Sequence, residues 1–174
     1  MERIMLDSSV YGRLVDDIEL TEKFGKLIPK DFVVYGNKTI RDELKETPRN
    51  VRLKSGSKKL LLLRIYDSLI RKDHHDLKHN KLIETLAGDY FKEYRKEKGS
   101  LSSKEMMNDL TIVATATIYH LDIVVSDDER SMFSGAAIKA YSSVNKRYGI
   151  INPAFRTYTE FKKEIIRKAS RYET

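Results

Sequence analysis

The sequence has 174 residues, a formal net charge of +7 and no cysteine, which predicts one domain spanning residues 1–174 and excludes disulfides, thiolate metal sites and cysteine nucleophiles. Its 40% hydrophobic and 34% charged residues exclude a disordered chain. No apolar run approaches the roughly 18 residues of a membrane-spanning helix, and the N-terminal residues lack the apolar core of a signal peptide, so we expect a cytoplasmic protein without membrane contact.

The N-terminal part of the chain predicts two strands with a helix between them. Residues 3–6 are a short apolar run typical of a strand, and Asp7 follows it directly. Apolar residues four positions apart predict a helix over 10–22. A second apolar run predicts a strand over 31–35, and a short helix with Thr39 as its N-cap is expected next.

The central part of the chain carries mainly helical patterns. A basic amphipathic helix with a leucine-rich face is expected over 57–72, and a second helix over 80–98. Ser102 and Glu105 form a capping box, which predicts a further helix over 103–119.

The last third predicts a buried strand followed by helices. The strand ends near Ser126, because two adjacent charges, Asp127 and Asp128, cannot continue a buried strand. The remaining predicted elements are a helix, a short strand and a terminal helix, over 135–148, 149–152 and 157–171. Strands that alternate with helices predict a three-layer α/β/α fold with a central, mainly parallel sheet, and with a helical insertion between about 49 and 100.

Acidic residues follow the predicted strands, where functional groups of parallel sheets gather. Taken singly, each acid has a structural explanation: Asp7 begins a turn or caps a helix, and Asp127 or Asp128 caps the helix that follows, while Glu43 and Asp109 face solvent. Several carboxylates at one sheet edge repel each other, and a hard divalent cation relieves that repulsion. Because the chain has no thiolate, all-oxygen ligation by Mg²⁺ or Mn²⁺ is indicated.

The order of these acids resembles the pattern of the PIN-domain nucleases. The matching segments run through nearly the whole chain: Asp7-Ser8-Ser9, Glu43 in TIRDELKE, Asp109 in NDLTIVATA, and Ser126-Asp127-Asp128. The resemblance implies a PIN fold and Mg²⁺- or Mn²⁺-dependent cleavage, mostly of RNA, and many family members are toxins of the VapC type. It also implies the site residues: Asp7, Glu43, Asp109 and Asp128 as catalytic and metal-binding acids, with Ser9 and Ser126 as supporting polar groups.

The two adjacent aspartates after the last long strand receive different interpretations. Asp128 lies two residues past Ser126 and matches the final acid of the PIN pattern. Asp127 is expected to cap the next turn or to bind its backbone N–H groups. A part for Asp127 in metal binding stays open.

The segment 49–72 is strongly basic, with eight lysines or arginines against one acid. Such a segment attracts a polyanion such as RNA, although a solvated lysine-rich surface has the same composition. The residues that we expect to contact the phosphate backbone are Arg49, Arg52, Lys54, Lys58 and Lys59.

Chemistry and resemblance together predict a metal-dependent endoribonuclease that hydrolyses RNA phosphodiester bonds, with the toxin of a toxin–antitoxin pair as the first interpretation. The expected partners are RNA, an antitoxin protein and a second copy of the chain. Two alternatives stay open: an RNA-processing or repair nuclease of the same fold, and a non-cleaving RNA-binding module. The presence of all four acids weighs against the non-cleaving module.

Overall fold

The computed structural model describes residues 1–48, 50–54, 56–71 and 73–172. The strands in these residues are β1 (Glu2–Leu6), β2 (Phe32–Asn37), β3 (Arg52–Leu53), β4 (Gly56–Ser57), β5 (Asp76–Leu77), β6 (Ile123–Ser126) and β7 (Ala154–Thr157). Five of them form a parallel sheet in the order β5-β2-β1-β6-β7, while β3 and β4 form a separate antiparallel hairpin. This arrangement confirms the predicted α/β fold with a central parallel sheet.

Helices flank the sheet. They are α1 (Ser8–Asp16), α2 (Ile18–Leu27), α3 (Lys38–Glu46), α4 (Lys58–Leu69), α5 (Lys81–Lys96), α6 (Ser103–Ile118), α7 (Gly135–Tyr148) and α8 (Tyr158–Ala169). Helix α5 packs against α6 and α7, whereas α1 packs against α2 and α4, and α2 packs against α8. No helix in the described residues is long and apolar enough to cross a membrane.

The register of the central strands brings distant acids to one edge. Strand β1 pairs with β2 on one side and with β6 on the other, and Leu6 lies beside Val125. Ile4, Leu6 and Val125 are fully buried, as expected for strands covered on both faces. Because the strands are parallel, the residues that follow β1 and β6 meet at the same carboxyl edge.

The prediction of one helix over 10–22 is wrong, because Asp17 divides it into α1 and α2. The backbone of Asp17 leaves the helical region, with φ −123° and ψ 79°. Its carboxylate accepts a hydrogen bond from the backbone N–H of Leu20 at 3.1 Å, so Asp17 is the N-cap of the second helix. Apolar residues continue at intervals of four positions through Asp17, from Val10 and Leu14 to Ile18, so the sequence pattern gives no sign of the break.

The predicted N-cap Thr39 is also wrong, and the true N-cap of α3 is Asn37. The side-chain oxygen of Asn37 accepts a hydrogen bond from the backbone N–H of Ile40 at 2.9 Å. Asn37 is at the same time the last residue of β2, so strand and helix join without a loop. This direct connection fixes where α3 begins, and it therefore fixes the position of Glu43.

The predicted strand over 149–152 is absent from the structure. Gly149 adopts the left-handed conformation, with φ +67°, and ends α7 there, which is the usual role of glycine after a helix. The last strand begins only at Ala154. Two other boundaries in this half of the chain are confirmed, the capping box of Ser102 and Glu105 and the helix over 135–148.

The insertion between about 49 and 100 contains the two helices α4 and α5, as predicted. It also contains the hairpin of β3 and β4 and the short edge strand β5, neither of which was predicted. Two-residue strands carry too little periodicity to be recognised in a sequence. The insertion therefore extends the central sheet and places α4 against α1 and α3.

Candidate active site

A cavity of about 340 Å³ opens at the carboxyl edge of the sheet, beside the ends of β1 and β6. The structure brings the four predicted acids together here, and they are called the acid cluster below: Asp7, Glu43, Asp109 and Asp128. Asp7 follows β1, Glu43 lies on α3, Asp109 lies on α6 and Asp128 follows β6. Four elements thus supply one carboxylate each to the same cavity.

Asp7 is the most buried acid of the cluster, with 4% of its surface exposed. As the N-cap of α1 it accepts a hydrogen bond at Oδ1 from the backbone N–H of Ser8, at 2.7 Å. Its Oδ2 accepts hydrogen bonds from the hydroxyls of Ser9 at 2.6 Å and Ser126 at 2.9 Å. Both predicted supporting serines therefore hold the Asp7 carboxylate, one from each of two neighbouring segments.

Glu43 combines burial with an incomplete set of hydrogen bonds. Its Oε1 accepts a hydrogen bond from the side-chain amide of Asn108 at 2.8 Å. Its Oε2 is buried and lacks a hydrogen-bond partner among the described residues. Burial raises the pKa of Glu43, and the charge of Asp7 adds to this, while Ser8 and Asn108 offset part of it. An unsatisfied buried carboxylate oxygen is costly unless a further group binds it.

Asp109 has the largest pKa shift in the cluster. Burial raises the pKa of Asp109 to about 7, and the negative charges of Asp7, Asp128 and Glu43 add to the increase. The hydroxyl of Ser131 donates a hydrogen bond to Asp109 Oδ2 and offsets part of the increase. The four acids are thus close enough to influence one another, so the cluster is electrostatically coupled.

The bonds to the next turn that were predicted for Asp127 belong to its neighbour, Asp128. It is Asp128, not Asp127, that binds the next turn: its Oδ1 accepts hydrogen bonds from the backbone N–H groups of Arg130 and Ser131, both at 2.9 Å. Desolvation acts to raise the pKa of Asp128, but the hydrogen bonds from Ser131 and Arg130 outweigh it and the pKa is lowered. Asp128 nevertheless lines the cavity as well.

Asp127 is directed away from the acid cluster towards α1. Its Oδ2 accepts hydrogen bonds from Arg13 and forms an ion pair of 2.6 Å with that side chain. The turn that follows β6 is bound by Asp128 and not by Asp127. The capping role predicted for Asp127 is therefore wrong.

Two further polar residues support the cluster and were not predicted from the sequence. Ser131 donates its backbone N–H to Asp128 and its hydroxyl to Asp109, so one residue fixes two acids. Asn108 donates to Glu43 across the gap between α6 and α3. The position of Ser131, three residues after Asp128, is a signal for a side-chain turn, whereas nothing in the sequence indicates the partner of Asn108.

The donor set of the cavity fits a hard divalent cation. Its possible ligand atoms are carboxylate and hydroxyl oxygens, which Mg²⁺ and Mn²⁺ prefer, and the buried Glu43 Oε2 still lacks a partner among the described residues. In the described parts of the chain, no group of three or more acidic or histidine side chains is already arranged to hold a metal ion. Small side-chain movements are therefore needed before three of these carboxylates share one ion.

A second cavity of about 330 Å³ lies next to the first along the same edge of the sheet. The two cavities share Glu43, and the second one is polar, with Asn37, His79, Asn108 and Thr115 in its lining. Two polar cavities that share Glu43 thus lie side by side, and the acid cluster lines one of them.

The structure separates the predicted RNA-contacting residues into distinct environments. Arg52 and Lys54 are exposed on the hairpin, Lys59 is half-buried on α4, and Lys58 lines the acid cavity. Arg49 lies outside the described residues. Contact with RNA remains a prediction for all five.

Comparison with known proteins finds similarity at the level of the fold. No family model matches the sequence, and no curated protein matches it. A chain of VapBC2 from Rickettsia felis, solved bound to a promoter DNA fragment, is 13% identical with a TM-score of 0.57, covering 89% of this chain and 98% of that chain. A chain of VapBC-1 from nontypeable Haemophilus influenzae is 11% identical with a TM-score of 0.57, covering 90% and 98%.

A third similar structure is FitAB bound to an IR36 DNA fragment, with 17% identity, a TM-score of 0.53, and coverage of 89% of this chain and 94% of that chain. At such identities the similarity concerns the fold alone. In each case it extends over nearly the full length of both chains. The fold that the resemblance implied is therefore confirmed.

Proposed function

We propose that this chain, whose fold is the PIN fold, is a metal-dependent endoribonuclease that hydrolyses RNA phosphodiester bonds. The observation that carries the proposal is the convergence of the acid cluster on one cavity. Capping accounts for Asp7 and in part for Asp128. It does not account for Glu43 and Asp109, which are partly or mostly buried acids with raised pKa values and no cationic partner among the described residues.

The acid cluster supplies the residues that would hold Mg²⁺ or Mn²⁺. When bound, such an ion lowers the pKa of water and stabilises negative charge on phosphate oxygens. Ser9 and Ser126 hold Asp7 in place for this task, and Ser131 does the same for Asp109 and Asp128. With a pKa of about 7, Asp109 is partly protonated near neutral pH in the free protein, and binding of a cation favours release of that proton.

RNA is the proposed substrate because the chain has a net positive charge and because basic residues lie beside the acid cluster. The net charge of +7 attracts a polyanion at long range, and a second polar cavity adjoins the acid cluster at Glu43, with room for a neighbouring nucleotide. The basic hairpin and the start of α4 lie at this site, since Lys58 lines the acid cavity. We assign the phosphate backbone contacts to Arg52, Lys54, Lys58 and Lys59, with Arg49 adjoining them in the sequence.

A role as the toxin of a toxin–antitoxin pair is proposed on the similarity in fold. The similar chains come from VapBC2, VapBC-1 and FitAB, and two of these assemblies were solved with DNA. By this analogy the partner of the chain is an antitoxin protein that binds DNA. Co-expression with the product of an adjacent small gene, followed by purification of a stable complex, tests this part separately.

The central test is cleavage of mixed RNAs with Mn²⁺ or Mg²⁺, compared with the same reaction in EDTA. Cleavage is expected only with metal, and Asp109→Asn is expected to abolish it. Asp16→Asn is the matched control, because Asp16 is an exposed carboxylate outside the cavity. Cleavage that persists in EDTA or in Asp109→Asn contradicts the metal mechanism, and RNA binding without cleavage identifies a binding module instead.

A further inference from the structure

Lys58 is the one basic side chain among the described residues that line the acid cavity. It is the first residue of α4 and is half-buried. The other residues that line the cavity are four acids, three residues with hydroxyl groups, one glycine and two leucines. A phosphodiester carries a negative charge, so carboxylates alone repel it. Any cation in the cavity therefore strongly influences whether a phosphodiester binds there.

The backbone around Lys58 is fixed by the hairpin that precedes it. Arg52 pairs with Ser57, and Leu53 pairs with Gly56. Gly56 has φ +131°, a conformation that side chains rarely allow. The backbone N–H of Lys58 then donates to the carbonyl of Val51 at 2.9 Å. These bonds hold the start of α4 at the rim of the cavity. The backbone of Lys58 is therefore fixed beside the acid cluster.

Lys58 forms no salt bridge within 4.0 Å with any described carboxylate, although four of them line the same cavity. Other lysines near the site are paired: Lys38 and Lys45 both contact Asp42, at 2.7 Å and 3.1 Å. A lysine whose only role was to neutralise the acid cluster would lie against one of its oxygens. Space therefore separates the ammonium group from the acids, and that space suits an anion.

We propose that Lys58 is the phosphate-binding residue of this site, and that its ammonium group binds a non-bridging oxygen of the scissile phosphodiester. In hydrolysis a water oxygen forms a bond to phosphorus, the bond from phosphorus to the leaving ribose oxygen breaks, and the leaving oxygen gains a proton. Negative charge grows on the phosphate oxygens as this happens, and a cation already in place stabilises it. The inference rests on the proposed function and names the residue that receives the substrate phosphate.

The test compares Lys58→Met with Arg64→Met, which removes the same charge from an exposed position of the same helix. With RNA and Mn²⁺, Lys58→Met is expected to lower kcat about 10²-fold or more, the usual effect of removing one such donor. Arg64→Met is expected to change kcat less than twofold. Lys58→Arg is expected to restore part of the rate, and Mn²⁺ affinity is expected to stay equal or to increase in Lys58→Met.

A second measurement keeps this inference separate from the proposed function. In the Asp109→Asn background, binding of a single-stranded RNA is compared with and without Lys58→Met, and a loss of affinity of about tenfold is expected. Equal effects of Lys58→Met and Arg64→Met in both measurements overturn the assignment of Lys58. A wild-type protein that never cleaves RNA contradicts the proposed function, while the binding comparison still decides whether Lys58 receives phosphate.

Discussion

Two groups of charges in the molecule are built differently. In the first, which joins β1, β7 and α8, Glu2 and Glu164 are matched by Arg156 and Lys168. Lys168 contacts Glu164 at 3.1 Å, and their side chains are only 11% and 8% exposed. In the second, at the carboxyl edge of the sheet, the acid cluster has four carboxylates and no ion pair with a described residue.

The difference separates charges that neutralise one another from charges that do not. A balanced buried network satisfies its own charges, so it needs nothing further from solution. An unbalanced cluster keeps its repulsion in the folded state, and that repulsion decreases only when protons or cations bind. Each experiment below changes one of the two groups of charges, or the basic surface beside the acid cluster. Its result shows whether the two groups differ as described.

The largest effect is expected from removing a carboxylate of the unbalanced cluster. Asp7→Asn and Asp109→Asn are each predicted to reduce RNA cleavage to background, because each removes a ligand charge for the metal. The unfolding midpoint of the metal-free protein should stay equal or rise in Asp109→Asn, since a repelling charge is lost. Cleavage rates, Mn²⁺ titration and thermal unfolding in EDTA measure this, and an active Asp109→Asn protein contradicts the assignment.

The opposite result is expected from the balanced network. Glu164→Ala removes one of the two carboxylates that Arg156 and Lys168 share and leaves both cations with Glu2 alone. Breaking a buried pair completely costs about 3–5 kcal/mol of unfolding free energy, so a loss of up to about this size is expected. Cleavage per folded molecule is predicted to be unchanged. Urea unfolding of this variant, with the exposed Glu22→Ala as control, measures the cost. A loss below that of the control means that the network is dispensable.

The pH dependence of the free energy of unfolding distinguishes the balanced network from the acid cluster, and no substitution in either group is needed. In the folded protein Asp109 keeps its proton up to about pH 7, whereas its ordinary pKa is 3.8. Between these values the folded state binds more protons than the unfolded state, so the free energy of unfolding falls as the pH rises from about 4 to 7. The raised pKa of Glu43 acts in the same direction.

The expected loss is on the order of 3 kcal/mol for the metal-free protein. Urea unfolding in EDTA between pH 5 and 8 measures it, and saturating Mn²⁺ is expected to reverse it at the upper end. In Asp109→Asn the slope should be smaller. An identical slope in that variant assigns the titration to another group.

A smaller effect is expected from the basic surface beside the acid cluster. Replacing Lys54 and Lys59 with Gln should weaken RNA binding for all sequences alike. The slope of log affinity against log salt is predicted to decrease by about 0.7 for each phosphate contact that is lost. Binding titrations at several salt concentrations measure the slope, and an unchanged slope shows that these lysines only solubilise the surface.

The smallest effect concerns the neighbours Asp127 and Asp128. Asp127→Asn loses an ion pair to the exposed Arg13 and is predicted to cost about 0.2–1 kcal/mol of stability with unchanged Mn²⁺ affinity. Asp128→Asn is predicted to weaken Mn²⁺ binding, because Asp128 lines the cavity. Titration and thermal unfolding of both variants measure this, and a weaker Mn²⁺ affinity in Asp127→Asn reverses the two roles.

Much of the architecture was predictable because it depends on local patterns. Apolar runs located β1 and β6, and the capping box of Ser102 fixed the start of α6. The four acids of the cluster were predicted because their order along the chain resembles the PIN pattern. The predictions that failed depend on the direction of a side chain or on contacts between residues that are distant in the sequence. The bond from Arg13 to Asp127 is one case, and the bond from Asn108 to Glu43 is another.

The hydrogen bond between Ser126 and Asp7 joins residues 119 positions apart, and this distance governs when the site comes into existence. Strand β1 lies between β2 and β6. Of these two neighbours, β6 is synthesised long after β1. Contacts between residues so far apart form late in folding, and a chain emerging from the ribosome lacks β6 until more than two thirds of it has been made. A translation product that stops before Ile123 holds Asp7, Glu43 and Asp109 but lacks β6, Ser126 and Asp128, so interrupted synthesis yields a fragment with an incomplete acid cluster.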